Sequence, residues 1–235
     1  VVGDIKHSLD RIAGLTTPHQ GAHVRPLRER LVEEMDQHRD DLEFPVKPQK
    51  IIWDLRTALD LEDIVVCDVG AHKMWMARMF RCEHPNTCII SNGFASMGIA
   101  VPGAIAAKLV YPQRHVVAVT GDAGFMMNSQ EIETAIRCKL PIVILIWNDS
   151  SYGLIEWKQM NQFQRISNVR FENPDFVAYA ESFGARGYRV ERTADLPAIL
   201  KAALANDTVS IIDCPVDYRE NIKLTDQLGT LVCPT

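Results

Sequence analysis

The stretch Gly121-Asp122-Ala123-Gly124-Phe125, followed by Asn148-Asp149-Ser150-Ser151-Tyr152, decides how this chain is read. Each aspartate stands just past a run that reads as a buried strand: Val116-Val117-Ala118-Val119-Thr120 before the first, Ile142-Val143-Ile144-Leu145-Ile146-Trp147 before the second. Between them, Asn128 to Lys139 has helical periodicity, with Ile132, Ala135 and Ile136 on one face and Glu131, Glu133 and Arg137 on another. Strand, turn, helix and strand form a right-handed crossover unit of a parallel sheet. Such sheets take ligands outside the carboxyl ends of their strands, where both acids fall. Two hard oxygen donors at neighbouring strand ends suit Mg²⁺, which favours carboxylates together with phosphate oxygens. Gly121, Ala123 and Gly124 let backbone N–H groups approach an anion, and the helix after them offers its positive end. The expectation is a diphosphate held through a divalent metal, with Asp122 and Asp149 as metal ligands. The plainer alternative is an ordinary turn at Gly121 to Phe125 and a helix N-cap at Asp149.

Working outward, strands are expected at 64–68, 87–91, 116–120, 141–147, 187–190 and 210–213, and helices at 50–59, 73–80, 96–109, 128–139, 174–183 and 194–205. That alternation is the pattern of an α/β fold, a doubly wound parallel sheet with helices on both faces. Ahead of it, Val1-Val2-Gly3-Asp4-Ile5 reads as the closing strand of an earlier unit, then a short helix to about residue 14, a loop over 15–26 and a charge-rich helix over 27–40 in which Leu31 and Met35 share one weakly apolar face. Pro45 and Pro48 punctuate the start of the compact part. The expected layout is 1–45 as the end of a preceding domain plus linker, 46–222 as the ligand-binding domain and 223–235 as a tail. The chain begins at valine and is read as a piece of a longer polypeptide.

With 235 residues and 47% apolar content the chain buries a sizeable core, and a net charge of −5 without a basic stripe gives no footprint for nucleic acid. No apolar run approaches eighteen residues, so no membrane span is expected. The six cysteines, at 67, 82, 88, 138, 214 and 233, contain no Cys-x-x-Cys; Cys67 and Cys138 lie in or beside apolar runs and read as small hydrophobes in a reducing cytoplasm. His19 and His23 share an i, i+4 spacing in a segment broken by Pro18 and Gly21, and read as solvated.

Three further motifs bear on chemistry. Val65-Val66-Cys67-Asp68-Val69-Gly70-Ala71-His72 is a strand running through a tight turn into a helix, so that the turn's N–H groups and His72 reach a phosphate or a carboxylate; alternatively Gly70 only permits the turn and His72 caps or packs. Ser91-Asn92-Gly93-Phe94-Ala95-Ser96-Met97-Gly98 is rich in small residues, allowing close backbone approach to a flat ring with Met97 for the ring to lean on, or else Met97 belongs to the core. Tyr152-Gly153-Leu154-Ile155-Glu156-Trp157-Lys158-Gln159 follows the second acid closely enough to cover a bound cofactor, or is a surface helix with Trp157 packed inward.

Taken together, the two aspartate motifs resemble the diphosphate-binding signature of thiamine diphosphate (ThDP) enzymes. Ile90-Ser91-Asn92-Gly93, Asp68-Val69-Gly70-x-His72, Trp147-Asn148-Asp149-Ser150-x-Tyr152, Tyr179-Ala180-Glu181-Ser182-Phe183-Gly184-Ala185 and Ile211-Ile212-Asp213-Cys214-Pro215-Val216-Asp217-Tyr218 narrow the resemblance to acetolactate synthases, closest to the catabolic, FAD-independent type. The resemblance covers about residues 46 to 222. It implies ThDP and Mg²⁺ as cofactors, without FAD, and Asp122, Asp149 and the carbonyl of Ser151 as metal ligands. It implies Gly70, His72, Ala95, Met97, Gly121, Ala123, Gly124 and Tyr152 as the cofactor's surroundings. Met97 takes the role of the bulky residue that holds the cofactor bent, and the Ala95 carbonyl accepts from its 4′-amino group. Ala123 departs from the usual third glycine of the signature, and Lys158 from the tryptophan of the anabolic enzymes, which puts a preference for 2-ketobutyrate in doubt.

The implied activity is decarboxylation of pyruvate and carboligation to a second pyruvate, giving 2-acetolactate. Another ThDP-dependent 2-ketoacid decarboxylase, oxidase or carboligase is the alternative, and a Mg²⁺-dependent phosphatase or nucleotide binder a more distant one. The family's glutamate that activates the cofactor lies in a pyrimidine-binding domain of the neighbouring subunit, and no position here matches its motif. No catalytic residue is therefore expected in this chain, which alone should be inactive, and a homodimer or homotetramer is implied.

Overall fold

The computed structural model describes residues 3–17 and 24–224; His19, His23, Cys233 and the side chains of Leu31 and Met35 lie outside what it describes. The chain divides into two compact units, Val1–Glu34 and Met35–Thr235.

In the first unit, helix α1 (Ile5–Leu15) starts where the carboxylate of Asp4 accepts the N–H of His7 at 2.8 Å, so Ile5 begins a helix and not the end of a strand. Helix α2 (Arg25–Asp36) begins two residues before the expected start and stops four before the expected end.

The second unit is a six-stranded, wholly parallel sheet of order β2-β1-β3-β4-β6-β5. The strands are β1 (Ile64–Cys67), β2 (Cys88–Ile90), β3 (Val116–Gly121), β4 (Val143–Asn148), β5 (Arg186–Arg189) and β6 (Ser210–Pro215). Helices lie on both faces, and side chains alternate between them because the pleat has a period of two. Val65, Cys67, Val117, Val119, Leu145, Ile212 and Cys214 form one core with α3 (Pro48–Ala58), α4 (Ala71–Met79) and α10 (Leu196–Leu204), through Ile51, Leu55, Trp75, Met76 and Leu200. Ile64, Val66, Val116, Ala118, Ile144, Ile146 and Ile211 form the other with α5 (Ala100–Val110), α7 (Glu131–Arg137) and α9 (Phe176–Ser182), through Ala104, Ile132, Ala135, Phe176 and Ala180. The doubly wound reading of the sequence is the observed architecture.

The departures from expectation have local causes. The helix expected over 96–109 starts only at Ala100, because Ala95 and Gly98 adopt left-handed backbone (φ 51° and 87°). A six-residue helix, α6 (Asp122–Met127), precedes α7 where a turn was expected. Residues 153–163 form α8 (Gly153–Phe163), none of whose residues is buried, and Trp157 is only half-buried. Cys138 is exposed, unlike the buried Cys67. Among the described residues, no helix is long and apolar enough to cross a membrane.

Candidate functional site

The sheet reverses its winding between β1 and β3: from β1 the chain crosses outward to β2, and from β3 it proceeds the other way to β4. The crevice at the carboxyl ends there is where an α/β sheet accepts ligands. All eleven residues singled out from sequence line one cavity of about 210 Å³ at this place: Gly70, His72, Ala95, Met97, Gly121, Asp122, Ala123, Gly124, Asp149, Ser151 and Tyr152. Four separated stretches of chain supply them. Tyr218, in the 3₁₀ turn Tyr218–Asn221, completes the wall and tilts over Trp147 with ring centroids 6.3 Å apart.

Asp122 is the first residue of α6 and is 1% exposed. Its Oδ1 accepts the N–H of Ala123 at 2.8 Å, while its Oδ2 accepts the N–H of Ser150 and the side-chain amide of Asn173, both at 2.7 Å. Burial raises its pKa above the ordinary carboxylate value despite these bonds. Asp149, after the end of β4, is pushed up to about 8 by burial and then by the charges of Asp122 and Glu156. The repulsion between the two carboxylates adds to the larger effect of burial, and a divalent ion held by both would offset that repulsion. Ser150 adopts φ 53°, and the segment is clamped to residues 169–171 by Tyr152 N–H to Val169 O (2.9 Å) and Phe171 N–H to Ser150 O (3.1 Å). The Ser151 hydroxyl donates to Glu156 at 2.8 Å, and Glu156 is in turn held by Arg170 at 2.9 Å.

Among the described residues, no three His, Cys, Asp or Glu side chains gather as a metal cage. Two carboxylates plus a carbonyl suit Mg²⁺, which completes its shell with phosphate oxygens and water. The residues present therefore fit a metal-bound diphosphate.

On the other wall, His72 is 2% exposed and its Nε2 has no hydrogen-bond partner among the described residues; burial holds its pKa down at about 4, so the ring is neutral near pH 7. It packs beneath Gly70 and Gly121: a Cβ on Gly70 would stand 2.7 Å from His72 Cε1, and one on Gly121 3.5 Å. Ala123 has no positive φ and sits inside α6, so its methyl group strains nothing where the signature has glycine. Met97 is half-buried and belongs to neither core, whereas Tyr152 is 40% exposed at the rim. Asn173 and Tyr218 escaped the sequence reading: Asn173 lies in an irregular stretch far from the motif it serves, and Tyr218 was noted only within a family resemblance.

Residues 68–214 match the family described as thiamine pyrophosphate enzyme, C-terminal TPP binding domain. The chain is 47% identical over 177 residues to "Acetolactate synthase" of Bacillus subtilis (strain 168), covering 75% of this chain and 31% of that protein. It is 37% identical over 234 residues to "Acetolactate synthase, catabolic" of Raoultella terrigena, covering 97% of this chain and 42% of that one. A "Probable acetolactate synthase large subunit" of Methanococcus aeolicus is 35% identical over 202 residues, 83% of this chain and 33% of that protein. The chain thus spans roughly a third to two fifths of the length of these relatives.

Proposed function

Because the chain belongs to the thiamine pyrophosphate enzymes, through their C-terminal TPP binding domain, we propose that it is the diphosphate-binding part of an acetolactate synthase. The observation that carries this reading is the convergence of four chain segments on one cavity that holds the buried carboxylate of Asp122 and the half-buried carboxylate of Asp149. In this reading Asp122, Asp149 and the Ser151 carbonyl hold Mg²⁺ against the diphosphate, and the backbone at Gly121, Ala123 and Gly124 approaches its oxygens. Gly70 and His72 face the same end. Ala95 and Met97 take the ring system, with Tyr152 at the mouth. When bound, ThDP supplies the electron sink for decarboxylation of a 2-ketoacid and transfer of the remaining two-carbon unit. The chain's own residues bind and orient it and shape the space for pyruvate.

The reading includes the layout 1–45, 46–222 and 223–235, a multimer in which a neighbouring subunit faces the cavity, and a cytoplasmic setting. Cys67, Cys82, Cys88, Cys138 and Cys214 are all unpaired, which supports the last of these. The test is to incubate the protein that carries these residues with pyruvate, ThDP and Mg²⁺, and to assay acetolactate beside acetaldehyde and acetate. Acetolactate that disappears in Asp149→Ala is the expected result. Acetaldehyde or acetate in its place moves the enzyme to a decarboxylase or an oxidase.

A further inference from the structure

The loop that carries Ala95 and Met97 has little to hold it from within. It is built of small residues, two of them in left-handed backbone, and Ile99, which stands at the N-cap of α5, offers no side-chain cap. Its anchor comes from the end of a different strand. The carboxylate of Asp68, 1% exposed just past β1, accepts the N–H of Gly98 at 2.9 Å through Oδ1 and that of Ala100 at 3.0 Å through Oδ2. Its Oδ1 also takes the N–H of Val69, at 2.6 Å, and its own N–H donates to Val119 of β3 at 2.8 Å. Asp68 thus caps α5 from outside, where an anion meets the helix's free N–H groups and its positive end.

The other side of Asp68 faces the aspartate end of the cavity. A Cβ on Gly124 would come within 3.3 Å of the Asp68 Cγ and Oδ1, so α6, which begins at Asp122, packs directly on this carboxylate. A second brace crosses the same gap: the Asn128 side chain, just past α6, donates to the carbonyl of Gly98 at 2.9 Å. From the far side, Lys73 of α4 donates to the Ser91 carbonyl at 3.2 Å.

We infer that Asp68 is a positioning residue: with Asn128 as its counterpart, it fixes the Ala95–Met97 loop against α6 and so sets the distance between the diphosphate end and the ring end of the cofactor site. The inference rests on the ThDP reading for what occupies the two ends, but the clamp is tested separately from that reading.

The experiment uses the 235-residue chain with two probes: inorganic pyrophosphate with Mg²⁺, which reports the aspartate end alone, and ThDP with Mg²⁺, which needs both ends. Asp68→Asn keeps the side chain's shape but turns a donor toward a backbone N–H. Expected are pyrophosphate affinity within twofold of the parent chain, ThDP affinity weakened at least tenfold, and hydrogen exchange at Gly98 and Ala100 accelerated at least tenfold. Equal weakening of both probes, or no change in either, overturns the inference. Should Asp68→Asn fail to fold, Asn128→Ala removes the second brace without burying a new polar group and must produce the same split; without it the inference falls. If the parent chain binds ThDP no more tightly than pyrophosphate, the ThDP reading fails, and the exchange rates at Gly98 and Ala100 alone decide the clamp.

Discussion

The carboxylate of Asp122 accepts the backbone N–H of Ser150 at 2.7 Å, so the two aspartate segments are tied to one another independently of any metal. Asn173 reinforces the tie, reaching Asp122 Oδ2 at 2.7 Å and Asn148 Oδ1 at 3.0 Å. The relative position of Asp122 and the segment carrying Asp149 therefore belongs to the protein, and the proposed metal site has a spacing fixed before any cation is bound.

Asn173 is the cheapest place to loosen that tie. Asn173→Ala leaves both carboxylates in place but removes the amide that orients Asp122, and affinity for Mg²⁺ with pyrophosphate should fall about tenfold to a hundredfold, as for other lost supports of a metal ligand. Titration calorimetry reads this directly. Unchanged affinity would mean that the Ser150 N–H alone suffices to hold Asp122.

Asp149 sets stability against binding. Its pKa is raised from 3.8 to about 8 in the folded chain, so between those values the unfolded chain releases a proton that the folded chain keeps. Its contribution to stability is complete below pH 3.8 and is lost as pH rises through 8. Without metal, Asp149→Asn should be more stable at pH 8 by about 2 kcal/mol, and adding Mg²⁺ with ThDP should raise the melting temperature of the parent chain but not of the variant. A variant that melts below the parent in metal-free buffer at pH 8 would contradict this.

His72 acts at the other end of the pH range. Its folded pKa of about 4 lies below the ordinary 6.5, so acid protonates the unfolded chain first. The stability tied to its neutral ring is complete above pH 6.5 and is lost toward pH 4, for a total of up to about 3 kcal/mol. Urea titrations at pH 7, 5.5 and 4.5 should show that slope, and His72→Gln should flatten it.

Gly70 is required by its neighbour. Gly70→Ala brings a methyl group to 2.7 Å from Cε1 and 2.9 Å from Nδ1 of a histidine that is 2% exposed and has little room to retreat. The cost should be about 1–3 kcal/mol in a denaturant melt. Gly93→Ala, with nothing within 4 Å of the added Cβ, serves as the control and should be neutral.

The strands were legible to within one or two residues because a sheet covered on both faces demands unbroken apolar runs, and Val116–Thr120 and Ile142–Trp147 are such runs. The eleven cavity residues were legible because strand ends converge in a parallel sheet, so that separate local motifs become neighbours. What escaped was whatever depends on partners remote in sequence or on backbone that composition does not announce. The left-handed φ of Ala95, at a residue with no special preference for it, moved the start of α5 to Ala100. Helix α6 is only six residues long, too short to show a period. Asp68 reads as the end of a strand until Gly98 and Ala100 are seen to donate to it. At the amino end, the apolar Val1, Val2 and Ile5 suggested a strand, but Asp4 caps a helix that begins at Ile5.

The strand order also sets a timetable. Val66 lies beside Ala118 in the sheet, yet β2 and the whole of α5 separate them along the chain. During synthesis, Asp68 and the small-residue loop are made before β3 and β4 can pair beside them, and the pocket closes only after Tyr218 has been made. A chain interrupted before β4 does not carry a weaker version of the cavity, because the wall bearing Asp149 would be missing altogether.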